Sequence, residues 1–168
     1  AAELDAMVRG LYKNAVSNNS CCYAYYVTGL LTSADALWLM GVRRGTSEGR
    51  GGKGIVYLFP AGNGGNDRFP DDSNFDAQAN SRYVLAIGGV GDDGKRAAYS
   101  EPGANVLVST PSGDRATHYL TTTDITGNPG YNNGRTPGEP SNANYTQTFD
   151  GTSASTPNAS GVVALLLQ

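Results

Sequence analysis

Three continuous apolar runs, at residues 55–59, 83–88 and 105–108, constrain the fold of this chain most strongly. Runs of this kind fit strands that are buried on both faces of a sheet. Segments with apolar residues at helical spacing stand before and between them. Because helices alternate with strands, the sequence predicts an α/β fold with a mostly parallel sheet and helices on its faces.

The segments around these runs complete the predicted element order. Apolar spacing predicts helices at 1–11 and 32–45, the second ending at Gly45. A short strand is predicted at 14–20. Residues 126–148 are polar and rich in Gly, Pro and Asn, which predicts a long loop.

Composition and charge exclude two classes of partner. Twelve Lys and Arg residues stand against fifteen Asp and Glu, a net charge of −3 with no basic stripe, so nucleic acid is not an expected ligand. No apolar run approaches the roughly 20 residues that a membrane helix needs. The two cysteines are adjacent, which disfavours a disulfide between them, and no further Cys or His cluster completes a zinc site.

The first motif with chemistry is Gly-Thr-Ser-Ala-Ser-Thr-Pro at 151–157, which an apolar helix follows. Ser153 stands there between small residues, where its hydroxyl is sterically open. A helix N-terminus offers partial positive charge to a developing anion. The alternative reading is an ordinary Ser or Thr helix cap.

The second motif is Pro-Ala-Gly-Asn-Gly-Gly at 60–65, directly after a predicted buried strand. The side-chain amide of Asn63 could donate a hydrogen bond to an oxyanion there. The alternative is a common Asn-Gly turn.

A third feature is a set of five carboxylates: Asp67, Asp71, Asp72, Asp76 and Glu101. Clustered oxygen ligands suit Ca²⁺, and carboxylates in a pocket also suit a basic side chain. A solvated acidic loop would give the same composition.

In order and context, these motifs resemble the subtilisin-like serine protease superfamily. The segment at 151–157 is similar to its nucleophile motif, and Ala-Gly-Asn-Gly at 61–64 to its oxyanion-hole segment. Similarity to the kexin/furin-like branch extends over 50–65, 74–76, 80–83 and 98–101. The resemblance implies a three-layer subtilisin-like fold, of which residues 1–168 form an incomplete portion, a partial peptidase catalytic domain.

The resemblance also implies a site. Ser153 would form the acyl-enzyme, and Asn63 would donate to the oxyanion. Asp71 and Glu101 match positions that bind a structural calcium ion in that branch. Contacts with a peptide or protein substrate are implied for Ser20, Cys21, Cys22, Ala61, Gly62 and Asp76, the last of these in the pocket for a P1 Arg or Lys.

The sequence lacks two groups that the resemblance requires. A nucleophilic serine needs a base, and a carboxylate that orients the base. In the family the Asp and the His precede the oxyanion asparagine, whereas the only histidine here, His118, follows Asn63 without a His-Gly-Thr context. His118 is therefore predicted to be a strand or surface residue. We expect both groups in a missing N-terminal part of the same domain and predict that this chain alone is inactive.

The leading interpretation is thus a serine-type endopeptidase with an extracellular or cell-surface location, the location being implied by the resemblance alone. The alternative is a non-catalytic remnant of a subtilisin-like domain that binds peptides or calcium.

Overall fold

The computed structural model describes residues 2–20, 29–65, 71–114 and 118–168. Cys21 and Cys22, for which the resemblance implies substrate contacts, lie outside these residues, as does Asp67 of the acidic set.

A four-stranded parallel sheet forms the centre of the fold, with its strands in the order β1–β2–β3–β4. Its strands are β1 (Val16–Asn18), β2 (Val56–Pro60), β3 (Val84–Val90) and β4 (Val106–Pro111). Each predicted apolar run lies on one of them, which confirms the predicted parallel sheet. Polar residues that follow β1 and β2 therefore meet at one edge, where parallel sheets bind ligands.

Helices cover both faces of this sheet. They are α1 (Ala2–Val8), α2 (Ala36–Gly52) and α3 (Thr152–Leu166), with a short 3₁₀ helix at Ser73–Phe75. Side chains of β2 alternate between the two faces. Tyr57 and Phe59 pack with Trp38 of α2, whereas Leu58 packs with Ala159 of α3. The predicted three-layer arrangement is confirmed.

The predicted end of the second helix is wrong. Asp35 caps α2 by accepting hydrogen bonds from the backbone N–H groups of Leu37 and Trp38, so the helix begins later than expected. It continues past Gly45 and kinks at 49–51. A Cβ on Gly45 would lie 1.7 Å from the Tyr57 hydroxyl, so this glycine allows helix and sheet to approach closely rather than ending the helix.

We expect Gly45→Ala to lower the free energy of unfolding by about 1–3 kcal/mol, because the added methyl group forces Tyr57 to move in a packed core. Urea unfolding measures this loss. Gly161→Ala is the matched control: Gly161 is also helical, and a Cβ there would meet nothing within 4 Å. The control should raise stability by up to about 1 kcal/mol. Equal effects of the two substitutions would contradict the packing argument.

The predicted loop at 126–148 is partly wrong, because its end is a strand. An antiparallel hairpin joins β5 (Leu120–Thr123) to β6 (Tyr145–Phe149). Asn132 is fully buried in the connection and donates to the carbonyls of Pro140 and Tyr145, both at 2.8 Å. The connection is therefore held by specific polar contacts that composition does not reveal.

Among the described residues, no helix has the length and apolar character needed to cross a bilayer.

Candidate active site

Ser153 lies in the first turn of α3, at the carboxyl edge of the sheet. The N-cap residue of this helix is Gly151, whose φ of +87° is a conformation that glycine adopts readily. No side chain caps this end of the helix. Among the described residues, neither the hydroxyl nor the backbone N–H of half-buried Ser153 has a hydrogen-bond partner. Both groups are thus available to a ligand.

Asn63 follows β2 and reaches the same helix end. Its Oδ1 accepts the backbone N–H of Thr152 at 2.9 Å and the Thr152 hydroxyl at 2.8 Å. The Thr152 hydroxyl oxygen in turn accepts the N–H of Gly62 at 3.2 Å. These contacts fix the orientation of the amide, since only its oxygen can accept. No described residue accepts a hydrogen bond from the exposed Nδ2.

Two free N–H donors therefore flank one small space. A Cβ built on Gly151 would lie 3.5 Å from Asn63 Nδ2 and 3.8 Å from the backbone nitrogen of Ser153. Glycine leaves this space open. Converging donors beside a free hydroxyl are the arrangement that stabilises the oxyanion of an acyl-transfer intermediate.

Three of the predicted substrate residues, Ser20, Ala61 and Gly62, lie just after the carboxyl ends of β1 and β2. Ala61 is buried and extends the ladder, its N–H donating to the Ile87 carbonyl at 2.9 Å. Half-buried Ser20 follows β1 and accepts a hydrogen bond from Asn18. Gly62 adopts φ +109°, and a Cβ there would lie 2.2 Å from the Glu101 carboxylate. The first two motifs thus meet the third at Gly62.

Glu101 is the buried member of the acidic set, with 9% of its surface exposed. Its Oε1 accepts the N–H of Gly64 at 3.0 Å, while no described residue donates to Oε2. Burial raises the pKa of Glu101 to about 7, with smaller increases from the nearby carboxylates of Asp71, Asp76 and Asp72. Burial and neighbouring carboxylates both disfavour the ionised form of such a group, and a cation nearby would stabilise it.

The two other aspartates with predicted roles organise backbone turns. Oδ1 of Asp71 accepts the N–H groups of Gly29 and Asp72. Oδ1 of Asp76 accepts those of Gln78 and Ala79 after the 3₁₀ helix. Within the described part of the chain, no three Asp, Glu, His or Cys side chains converge as a metal cage.

His118 does not reach the site. Its Nδ1 is hydrogen-bonded to Asp92, its side chain is 85% exposed, and no hydrogen bond connects it with Ser153. It is a surface residue that precedes β5, in agreement with the sequence analysis.

Comparisons with known proteins agree with this geometry. The family model described as the subtilase family, Peptidase S8, matches residues 7–168. The chain belongs to the subtilase family. It is 35% identical over 166 residues to kexin of Candida albicans, covering 98% of this chain and 16% of that protein. It is 40% identical over 124 residues to the calcium-dependent protease of Trichormus variabilis, covering 72% of this chain and 18% of that protein.

A solved relative supports the subtilase fold as well. The serine protease of Aeromonas sobria, solved in complex with a chaperone, superimposes with a TM-score of 0.75 at 25% identity. The match covers 95% of this chain and 32% of that one. This subtilase chain therefore spans about a third or less of the proteins it is compared with. Its similarity to kexin supports its assignment to the kexin/furin-like branch of the family.

Sequence reasoning missed two residues that hold this subtilase site together. Thr152 lies inside the nucleophile motif, and its contacts with Asn63 depend on a tertiary approach between segments that are 89 residues apart. The Tyr99 hydroxyl accepts the N–H of Gly151 at 3.0 Å. The signal for Tyr99 was its place in the kexin-like stretch at 98–101, which carried no contact information.

Proposed function

We propose that this chain is part of a peptidase catalytic domain and supplies the nucleophile and the oxyanion hole of a serine endopeptidase. The observation that carries the proposal is the pair of free donors, Asn63 Nδ2 and the Ser153 N–H, beside the free Ser153 hydroxyl. Ser153 Oγ attacks the scissile carbonyl carbon and forms a C–O bond, while its proton passes to a base. The two donors hold the resulting oxyanion.

Collapse of that intermediate breaks the peptide C–N bond. The amine takes the proton from the base and leaves, and Ser153 keeps the acyl group as an ester. Water then attacks the ester, giving its proton to the base, which returns a proton to Ser153. The products are a carboxylic acid and the free hydroxyl, so the serine is regenerated.

The base and its orienting carboxylate come from residues outside this sequence. His118 supports this because it is engaged with Asp92 on the surface. Exposed apolar surface also supports it: Val162, Leu165 and Leu166 of α3 are 54%, 69% and 79% exposed. Among the described residues, β1 pairs with β2 alone. We assign these open surfaces to contact with another part of the same domain.

The proposed substrate is a peptide or protein that binds as an extended strand. Such a strand would run beside Ser20, with its scissile bond near Ala61, Gly62 and Asn63. Asp76 is proposed to select a P1 Arg or Lys, as the resemblance implies. Its Oδ1 is occupied by turn N–H groups, so the other carboxylate oxygen is the one left to meet a cation.

We also propose that Asp71 and Glu101 contribute carboxylates to a Ca²⁺ site. Oxygen ligands suit this cation, and Glu101 has a free oxygen in a buried position. The Trichormus relative is a calcium-dependent protease, which supports the assignment. A bound cation would offset the repulsion among these carboxylates. An extracellular or cell-surface location is proposed from the resemblance to the kexin/furin-like branch.

A fluorophosphonate probe tests the proposal, because it bonds to the oxygen of an activated serine. We expect rapid, stoichiometric labelling in the natural gene product that contains this sequence, with the label mapped to Ser153. The isolated chain should label slower by orders of magnitude, since loss of triad function in subtilisin, a relative, costs about 10⁶ in turnover.

Two variants control the labelling experiment. Ser153→Ala should abolish labelling, whereas Ser160→Ala, on the same helix, should leave it unchanged. Rapid labelling of Ser153 in the isolated chain would show that the missing base is not needed. A gene product that binds peptides or calcium without labelling would instead support the non-catalytic alternative.

A further inference from the structure

Tyr99 occupies a junction between three segments of the fold. It lies between β3 and β4, and its hydroxyl donates to the Gly113 carbonyl at 2.5 Å after β4. The same oxygen lies 2.7 Å from Ser112 Oγ, where either hydroxyl can be the donor, and 3.1 Å from the Ser112 carbonyl oxygen. It accepts the N–H of Gly151 at 3.0 Å. The phenol hydroxyl therefore both donates and accepts hydrogen bonds within the protein. The side chain thus joins the end of β4 to the N-cap residue of α3.

The residues around Tyr99 hold the opposite side of the site. The Tyr99 carbonyl accepts the N–H of Gly65 at 2.8 Å. The N–H of Glu101 donates to the Gly62 carbonyl at 3.1 Å, and the Glu101 carboxylate accepts the N–H of Gly64 at 3.0 Å. A three-residue segment, 99–101, therefore contacts both the loop of Asn63 and the start of the nucleophile helix.

Both segments that it holds are intrinsically adaptable. Glycines flank Asn63 on both sides, and Gly151 is the N-cap residue of α3 and offers no side-chain cap. Glycine loses more conformational freedom on folding than other residues, so such segments keep one geometry only if outside contacts fix it. For Gly151, two residues before Ser153, this outside contact is the hydrogen bond from its N–H to the Tyr99 hydroxyl.

We propose that Tyr99 is a positioning residue, whose hydroxyl sets the place of the Ser153 N–H and Oγ relative to Asn63 Nδ2. The inference rests on the proposed function. Tyr99 acts through Gly151 and needs no contact with substrate. Misplacing reacting groups by about 1 Å can cost a hundredfold in rate, so a smaller shift should still be measurable in turnover.

Tyr99→Phe tests this in the active gene product, because it removes the hydroxyl and keeps the ring. We expect kcat to fall about tenfold while KM stays within about twofold, since transition-state geometry changes and substrate contacts do not. Amide hydrogen exchange should also become faster at Gly151, whose N–H loses its acceptor.

Tyr57→Phe is the matched control, because Tyr57 is a fully buried tyrosine whose hydroxyl is also hydrogen-bonded. That hydroxyl donates to the Met7 carbonyl at 2.5 Å and contacts neither Asn63 nor the start of α3. It should lose stability but keep kcat. Ser112→Ala removes one partner of the Tyr99 hydroxyl and should lower kcat less, so it serves if Tyr99→Phe does not fold.

The outcomes separate the two levels of the argument. A folded wild-type gene product without activity or labelling would overturn the proposed function. An active wild type whose Tyr99→Phe variant keeps its kcat, or loses only in KM, would overturn the role of Tyr99 alone. An equal fall in kcat for Tyr57→Phe would also overturn it, because that result would reflect general destabilisation.

Discussion

Asn63→Asp is expected to lower kcat for peptide hydrolysis by about 10² to 10³-fold, with little change in KM. That range comes from an oxyanion-hole asparagine in subtilisin, a relative of this chain. Aspartate keeps an oxygen that can accept both hydrogen bonds from Thr152, so the anchor of the loop survives. The second oxygen replaces Nδ2, cannot donate, and brings negative charge towards a developing oxyanion. Steady-state kinetics of the active gene product measure the loss.

Two further variants show which property of Asn63 matters. Asn128→Asp makes the same chemical change on the exposed loop after β5 and should leave kcat unchanged. Thr152→Val removes the hydroxyl that donates to Asn63, and should cost less than the loss of Nδ2 itself. If Thr152→Val and Asn63→Asp lowered kcat equally, anchoring of the loop rather than donation to the oxyanion would explain the effect.

The sheet was predictable because burial on both faces leaves a strong mark in the sequence. In β2, Tyr57 and Phe59 face α2 while Leu58 faces α3, so consecutive positions are all apolar. Such an apolar run therefore predicts a buried strand even when the elements that pack against it are unknown. The parallel order then followed from the alternation of strands with helices.

The role of Gly45 and the strand β6 were predicted wrongly because both depend on tertiary contacts that leave no local signal in the sequence. A glycine inside a helix has the same local signature as one that ends it, and only the approach of Tyr57 decides between them. The strand at Tyr145–Phe149 is polar, with buried Thr146 hydrogen-bonded to Glu139. Its pairing with β5 depends on a connection whose contacts no periodicity encodes.

In the candidate site, too, the sequence predicted some features and not others. Ser153 and Asn63 were named from motifs, and the structure brings them together at Gly151. The contacts that hold them, from Thr152 and Tyr99, join segments that are 89 and 52 residues apart. The sequence shows which residue types are present, whereas this geometry depends on how the loop of Asn63, segment 99–101 and the start of α3 approach one another.

The buried carboxyl group of Glu101 makes stability depend on pH when calcium is absent. Burial raises its pKa from 4.5 to about 7. Between these two pH values, Glu101 is protonated in the folded state and ionised in the unfolded state. The stabilisation is complete below about pH 4.5 and is lost as the pH rises through 7. We expect the free energy of unfolding to fall by up to about 3 kcal/mol across this window.

Glu101→Gln isolates this contribution, because glutamine is uncharged at every pH. In a chelator, the variant and the wild type should be similarly stable in urea at pH 4.5, and the variant should be more stable at pH 8. Glu48→Gln, which changes an exposed glutamate paired with Arg44, should follow the wild-type profile. Parallel profiles for the wild type and Glu101→Gln would contradict a raised pKa at this position.

Calcium should reverse the order of stability at pH 8. A cation held by the carboxylates of Glu101 and Asp71 favours their ionised forms, so millimolar calcium should stabilise the wild type increasingly as the pH rises. Glu101→Gln offers a neutral amide oxygen instead, and its stability should respond weakly. If calcium stabilised both proteins equally, its ligands would lie elsewhere in the chain, whereas no response in the wild type would mean that these carboxylates hold no calcium.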